Sequence, residues 1–85
     1  MQSRGLRLVL LRALNENQIL ILSSVNGMRN ITSLLADVAG ESGVPISTLK
    51  LNAKILKELG LIDFNGAPAT VTELGRLIIN ILGER

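Results

Sequence analysis

The sequence predicts a mainly α-helical fold with one small β-hairpin (α+β), and three observations lead there. Residues 31 to 62 read as two short helices separated by a turn that Gly43 and Pro45 specify. Asn65-Gly66, flanked by apolar residues suited to strands, is a hairpin-turn signal. The end segments, residues 6–14 and 73–82, carry apolar residues at helical spacing.

Taken in order, residues 6–14 form a first helix that is apolar nearly all round, with Arg4, Arg7 and Arg12 in one arc. Asn15 then caps a second helix, Glu16 to about Val25. Gln18 three residues on completes a capping box, and Leu14 can staple onto Ile19. Asn26-Gly27 is expected to end that helix as a left-handed pair. Thr32 is expected to cap the third helix, which runs to about Ser42 with Leu34, Leu35, Val38 and Ala39 inward. Gly43 closes it and Pro45 stops continuation.

Ser47 is expected to cap the fourth helix, Thr48 to Leu59. At about 100° per residue, Leu49, Ala53 and Leu56 share one side with Leu59 nearby, while Ser47, Lys50, Leu51, Lys54 and Lys57 share the other. Asn52 falls toward the buried side, where it can bond to backbone. Gly60 terminates the helix, Leu61 to Phe64 reads as a strand, and Ala69 to Val71 can return beside it with Pro68 at an edge. Thr72 caps the last helix, Glu73 to about Leu82, whose Leu74, Leu77, Ile78, Ile81 and Leu82 form a broad apolar face. Gly75 inside that helix costs about 1 kcal/mol against alanine, which points to close packing on a neighbouring element.

Composition excludes several functions. Without Cys or His the chain has no zinc site, thiol chemistry or imidazole catalysis. Asp37, Glu41, Asp63 and Glu73 lack catalytic or metal-ligand spacing, so no enzyme, metal or cofactor is expected. Phe64 is the only aromatic residue, which removes base-stacking platforms. The apolar run Leu8 to Leu11 ends at Arg12, too short for a signal core or membrane span, so a soluble cytoplasmic protein is expected.

The net charge is only +2, but its distribution is uneven. Lys50, Lys54 and Lys57 lie in an acid-free stretch, as do Arg4, Arg7 and Arg12, whereas Asp37 and Glu41 lie on the preceding helix. Local positive charge suits a groove-facing element, a solvated helix face being the plain alternative. Apolar residues make up 47% of 85, and mean hydropathy is +0.41. One small domain, residues 1–85, has little interior for two more apolar helices, so a homodimer is expected, with Leu6, Leu10, Leu77, Ile78 and Ile81 as interface candidates.

Three passages carry a family resemblance: Ser47-Thr48-Leu49-Lys50, Leu56-Lys57-Glu58-Leu59-Gly60-Leu61-Ile62, and Val71-Thr72-Glu73-Leu74-Gly75-Arg76. They resemble winged helix-turn-helix transcription regulators of MarR-type and related archaeal and bacterial families, over residues 31 to 82. The resemblance implies a helix-turn-helix at about 32–59, a wing at about 61–72, and terminal helices that pair two subunits. It implies a regulator that binds double-stranded DNA, with Ser47, Thr48, Lys50, Leu51 and Lys54 facing the major groove and the hairpin beside the minor groove. Arg29 and Arg76 are further candidate phosphate contacts.

Two features depart from the pattern. The tip Asn65-Gly66-Ala67-Pro68 is short and uncharged where DNA-binding wings commonly carry Arg or Lys, and Leu51 stands where a polar base reader is expected. A leucine there can touch a thymine methyl or join Ile55 in a protein-binding stripe. The alternative function is therefore a protein-protein interaction module of a transcription or replication assembly.

Overall fold

Ile21, Leu22, Leu49, Leu56 and Ile62 are the largest side chains sealed from solvent. They mark where two helices and a hairpin strand converge. The computed structural model describes residues 4–65 and 68–83, arranged as α1 (Arg4–Ala13), α2 (Glu16–Ser24), α3 (Ile31–Ser42), α4 (Ile46–Glu58), β1 (Ile62–Asp63), β2 (Thr70–Val71) and α5 (Glu73–Leu82). The fold is mainly helical with a small antiparallel hairpin, as its sequence predicts. Among the described residues, no helix is long and apolar enough to cross a membrane.

The capping box of α2 forms as expected. Asn15 Oδ1 accepts the Gln18 N–H at 2.8 Å, and Gln18 Oε1 accepts the Asn15 N–H at 3.1 Å. The helix nevertheless ends at Ser24, with Val25 extended as its C-cap, so Asn26-Gly27 does not cap it. Gly27, at φ +78°, turns the loop instead. Its N–H donates to the Ala69 carbonyl at 3.0 Å, and the Ala69 N–H donates to the Arg29 carbonyl at 2.8 Å. The α2–α3 loop is thereby laced to the strand returning from the hairpin.

Both middle helices start earlier than their sequence suggests. Asn30, not Thr32, caps α3, its Oδ1 accepting the Ser33 N–H at 2.8 Å. Pro45, not Ser47, is the N-cap of α4, and its carbonyl accepts the N–H groups of Thr48 and Leu49 at 3.0 and 3.2 Å. Proline's fixed φ suits that position, which leaves Ser47 in the first turn. Gly43, left-handed at φ +76°, makes the turn between them as expected.

The end of α4 forms a Schellman motif: the Leu61 N–H donates to the Leu56 carbonyl and the Gly60 N–H to the Lys57 carbonyl, each at 3.0 Å. On this turn sits the start of α5. The Thr72 N–H donates to the Leu61 carbonyl at 3.1 Å, its hydroxyl donates to the Gly60 carbonyl at 2.6 Å, and its Oγ1 accepts the Gly75 N–H at 3.0 Å. Gly75 is buried here. A Cβ at this position would overlap the Leu61 carbonyl oxygen and lie 2.8 Å from Val71 Cγ1, so proximity rather than backbone angle requires the glycine.

Strand pairing is Ile62 with Val71 and Asp63 with Thr70. That register places residues 64–69 between the strands. Gly66 and Ala67, at the expected tip, lie outside the described residues. The first helix, α1, packs on α5 with none of its own residues buried, and Arg7 Nε donates to the Leu82 carbonyl at 3.2 Å.

Gly75→Ala separates the packing role from helix propensity. In an unencumbered helix it would add about 1 kcal/mol of stability, whereas forcing atoms into occupied space costs typically about 1–3 kcal/mol, occasionally more. We expect a net loss on the order of 1–2 kcal/mol by urea denaturation; a raised midpoint would refute the tight approach to Leu61.

Candidate nucleic-acid interface

The 3.6-residue period divides α4 sharply. Leu49, Ala53 and Leu56 are buried on its inner face, while Ser47, Lys50, Leu51 and Lys54 are exposed on its outer one. Leu51 is 60% exposed. Thr48 is half-buried on the flank, and Leu59, expected near the inner side, is 53% exposed as the C-cap.

Asn52 belongs to the inner face. Its Nδ2 donates to the Thr48 carbonyl at 2.9 Å, while its Oδ1 accepts from Asn15 Nδ2 at 3.1 Å and Gln18 Nε2 at 3.2 Å. The residues that cap α2 thus also hold α4 in its rotational setting. No buried side-chain polar atom among the described residues lacks a hydrogen-bond partner.

The cations differ in what they touch. Lys50 and Lys54 form no ion pair among the described residues. Lys57, half-buried, lies over the Phe64 ring with Nζ 4.7 Å from its centroid and donates to Asn65 Oδ1. Arg29 stands apart from the α4 set. It pairs with Asp37 at 2.5 Å and donates to the Ser33 hydroxyl and carbonyl at 2.7 and 3.1 Å, so its guanidinium braces the start of α3. The signal in the sequence was the four-residue step Arg29, Ser33, Asp37. Arg76 is exposed on α5 and lines a cleft of about 440 Å³ with Asn26, Thr70 and Asn80.

A larger groove of about 610 Å³ runs beside the outer face of α4. Ile31, Leu35, Ala53 and Phe64 give it an apolar floor, and Lys50, Lys54 and Lys57 line it together with Thr32 and Glu58. Sequence reasoning missed it because its walls come from the start of α3, two turns of α4 and the residue after β1. Only the tertiary arrangement joins them.

The terminal helices carry a second exposed surface. Leu6, Leu8, Val9, Leu74 and Leu77 are 49, 51, 61, 49 and 54% exposed. Of the five interface candidates, Leu6 and Leu77 are open, and Leu10 and Ile78 are half-buried. Ile81 is buried within the monomer and is corrected to an internal packing residue. Among the described residues no group of three or more acidic, His or Cys side chains is placed to hold a metal ion.

Comparison with protein-family models, with curated proteins and with solved structures gave no match.

The amide cluster provides a check on Asn52. Asn52→Ala leaves Gln18 Nε2, in a buried side chain, and Asn15 Nδ2 without their shared acceptor, an unmade bond that costs about 1–3 kcal/mol. Thermal denaturation should show that loss, and any reduction in ligand binding should follow stability alone; a binding loss in fully folded Asn52→Ala would place this residue on the ligand surface after all.

Proposed function

We propose that the chain is a winged helix-turn-helix regulator that binds double-stranded DNA, with α4 as its recognition helix. The observation that carries this reading is the face of α4 on which Ser47, Lys50 and Lys54 stand exposed and, among the described residues, without acidic partners, opposite a packed inner face. Supporting it are the glycine-proline turn between α3 and α4, the hairpin directly after α4, and the Ala69 bonds that attach the α2–α3 loop to that hairpin.

The chemistry follows from this presentation. A helix fits the B-DNA major groove, about 12 Å wide, where Lys50 and Lys54 would reach phosphates or guanine edges, and Ser47 and Thr48 would reach phosphate or base. Leu51 would contact a thymine methyl. No side chain caps the start of α4, so the N–H groups of Ile46 and Ser47 and the positive end of its dipole are available to a backbone phosphate. Arg29 is assigned to bracing α3 in this scheme, and the uncharged hairpin to a minor part in affinity.

Each neutralised phosphate adds roughly 0.9 to the slope of log K against log salt. Titration against random duplex at several salt concentrations should therefore give a steep negative slope, and Lys50→Ala and Lys54→Ala should each reduce it by about 1. Unchanged affinity in the folded double variant would sink the assignment of α4. The second reading, a protein-binding module of a transcription or replication assembly, is favoured by exposed Leu51 and by the apolar floor of the 610 Å³ groove. It takes the lead if the wild type fails to bind duplex at low salt.

The functional unit in this proposal is a cytoplasmic homodimer joined through α1 and α5. Leu6, Leu8, Val9, Leu74 and Leu77 stand exposed on these two packed helices, and pairing would cover them. A two-fold axis there would set two copies of α4 for major grooves about 34 Å apart. Sedimentation equilibrium at micromolar concentration should report twice the 9.1 kDa chain mass, and Leu77→Glu should weaken association. A monomer persisting at high concentration would refute the pairing.

A further inference from the structure

The groove beside α4 combines two features that duplex DNA does not use together. Its floor is apolar, offered by half-buried Ile31 and Phe64 over sealed Leu35 and Ala53, and its cationic wall is a row of three lysines. A phosphodiester backbone would satisfy the lysines but gains nothing from an aliphatic and aromatic floor. A polypeptide with acidic residues flanking apolar ones satisfies both.

The dimensions define the occupant further. Lys50 to Lys57 is seven residue steps, or about 10.5 Å of helix at roughly 1.5 Å each. That is the distance covered by apolar anchors at i, i+3 or i+4, and i+7 on a partner helix. Glu58 lies at the α4 C-terminal end of the groove and disfavours acid there, which gives the occupant a preferred direction. A second copy of this chain is a poor match: its acidic amphipathic helix, α3 with Asp37 and Glu41, already buries its apolar face of Leu34, Leu35 and Val38 in its own core.

We propose that this groove docks an acidic amphipathic helix of a partner protein, and that such docking excludes duplex DNA because both ligands need Lys50 and Lys54. The docking stands on the groove alone; the exclusion rests on the DNA-binding reading. Phe64 lies beyond β1 and belongs to the groove and not to α4, so it discriminates the two ligands.

The probe is a synthetic helix on the order of 16 residues, with leucines at i, i+4 and i+7 among glutamates. A scrambled peptide of the same composition and a poly-glutamate of the same length are its controls. Fluorescence anisotropy should give micromolar affinity for the helix and at least roughly tenfold weaker binding for both controls. Phe64→Ala should weaken the peptide by about tenfold or more while duplex affinity stays within roughly twofold, with circular dichroism reporting the fold. The peptide should also displace labelled duplex. Equal binding by the scrambled peptide or poly-glutamate would overturn the proposal, since charge alone would then suffice, as would duplex binding without any peptide binding. Peptide binding with the expected variant pattern but no duplex binding would uphold the docking site and remove the DNA reading instead.

Discussion

The arrangement depends on one close approach, that of the first turn of α5 to the turn ending α4. Thr72 bonds to Gly60 and Leu61 from one side while its oxygen caps α5 at Gly75, and the absent side chain of Gly75 leaves room for the Leu61 carbonyl. Four residues thus close α4, fix the base of the hairpin and aim α5. Because these contacts are backbone carbonyls, N–H groups and one hydroxyl, their geometry tolerates little drift. The direction in which α5 leaves the body, and hence the placement of α1 upon it, follows from this junction.

A second consequence concerns the separation of surfaces. The terminal helices carry their open apolar residues on α1 and α5, whereas the exposed lysines stand on α4. The α4 surface is itself divided, an outer ridge ending in Leu51 and Lys54 and a flank that descends toward Phe64. Charge is shared between ridge and flank; apolar floor is not.

Legibility in the sequence tracked the range of the interactions. The capping box at Asn15 and Gln18, the left-handed Gly43, the Thr72 cap and the division of α4 into two faces all depend on residues within one or two turns, and all were readable. So was a packing reason for Gly75, though not its partner. The starts of α3 and α4 were misplaced because Asn30 and Thr32, or Pro45 and Ser47, are each acceptable locally. The Ala69 bonds to the preceding loop favour Asn30, and they come from a residue nearly forty positions away. Leu51 and the two free lysines were legible as exposed. The bracing of Arg29, the burial of Ile81 and the groove were not, since each needs the tertiary contacts.

The amide cluster of Asn15, Gln18 and Asn52 has a further meaning. Aliphatic side chains against aliphatic side chains form a forgiving contact: a helix can roll or slide by a fraction of a turn and still bury similar area. Three amides that share a single carbonyl oxygen cannot follow such a roll without stranding a donor. They therefore act as an index pin between α2 and α4. What the pin specifies is less how firmly α4 is held than which of its faces is offered to the outside, and a helix whose outward residues are to be read by another molecule needs that angular definition as much as it needs attachment.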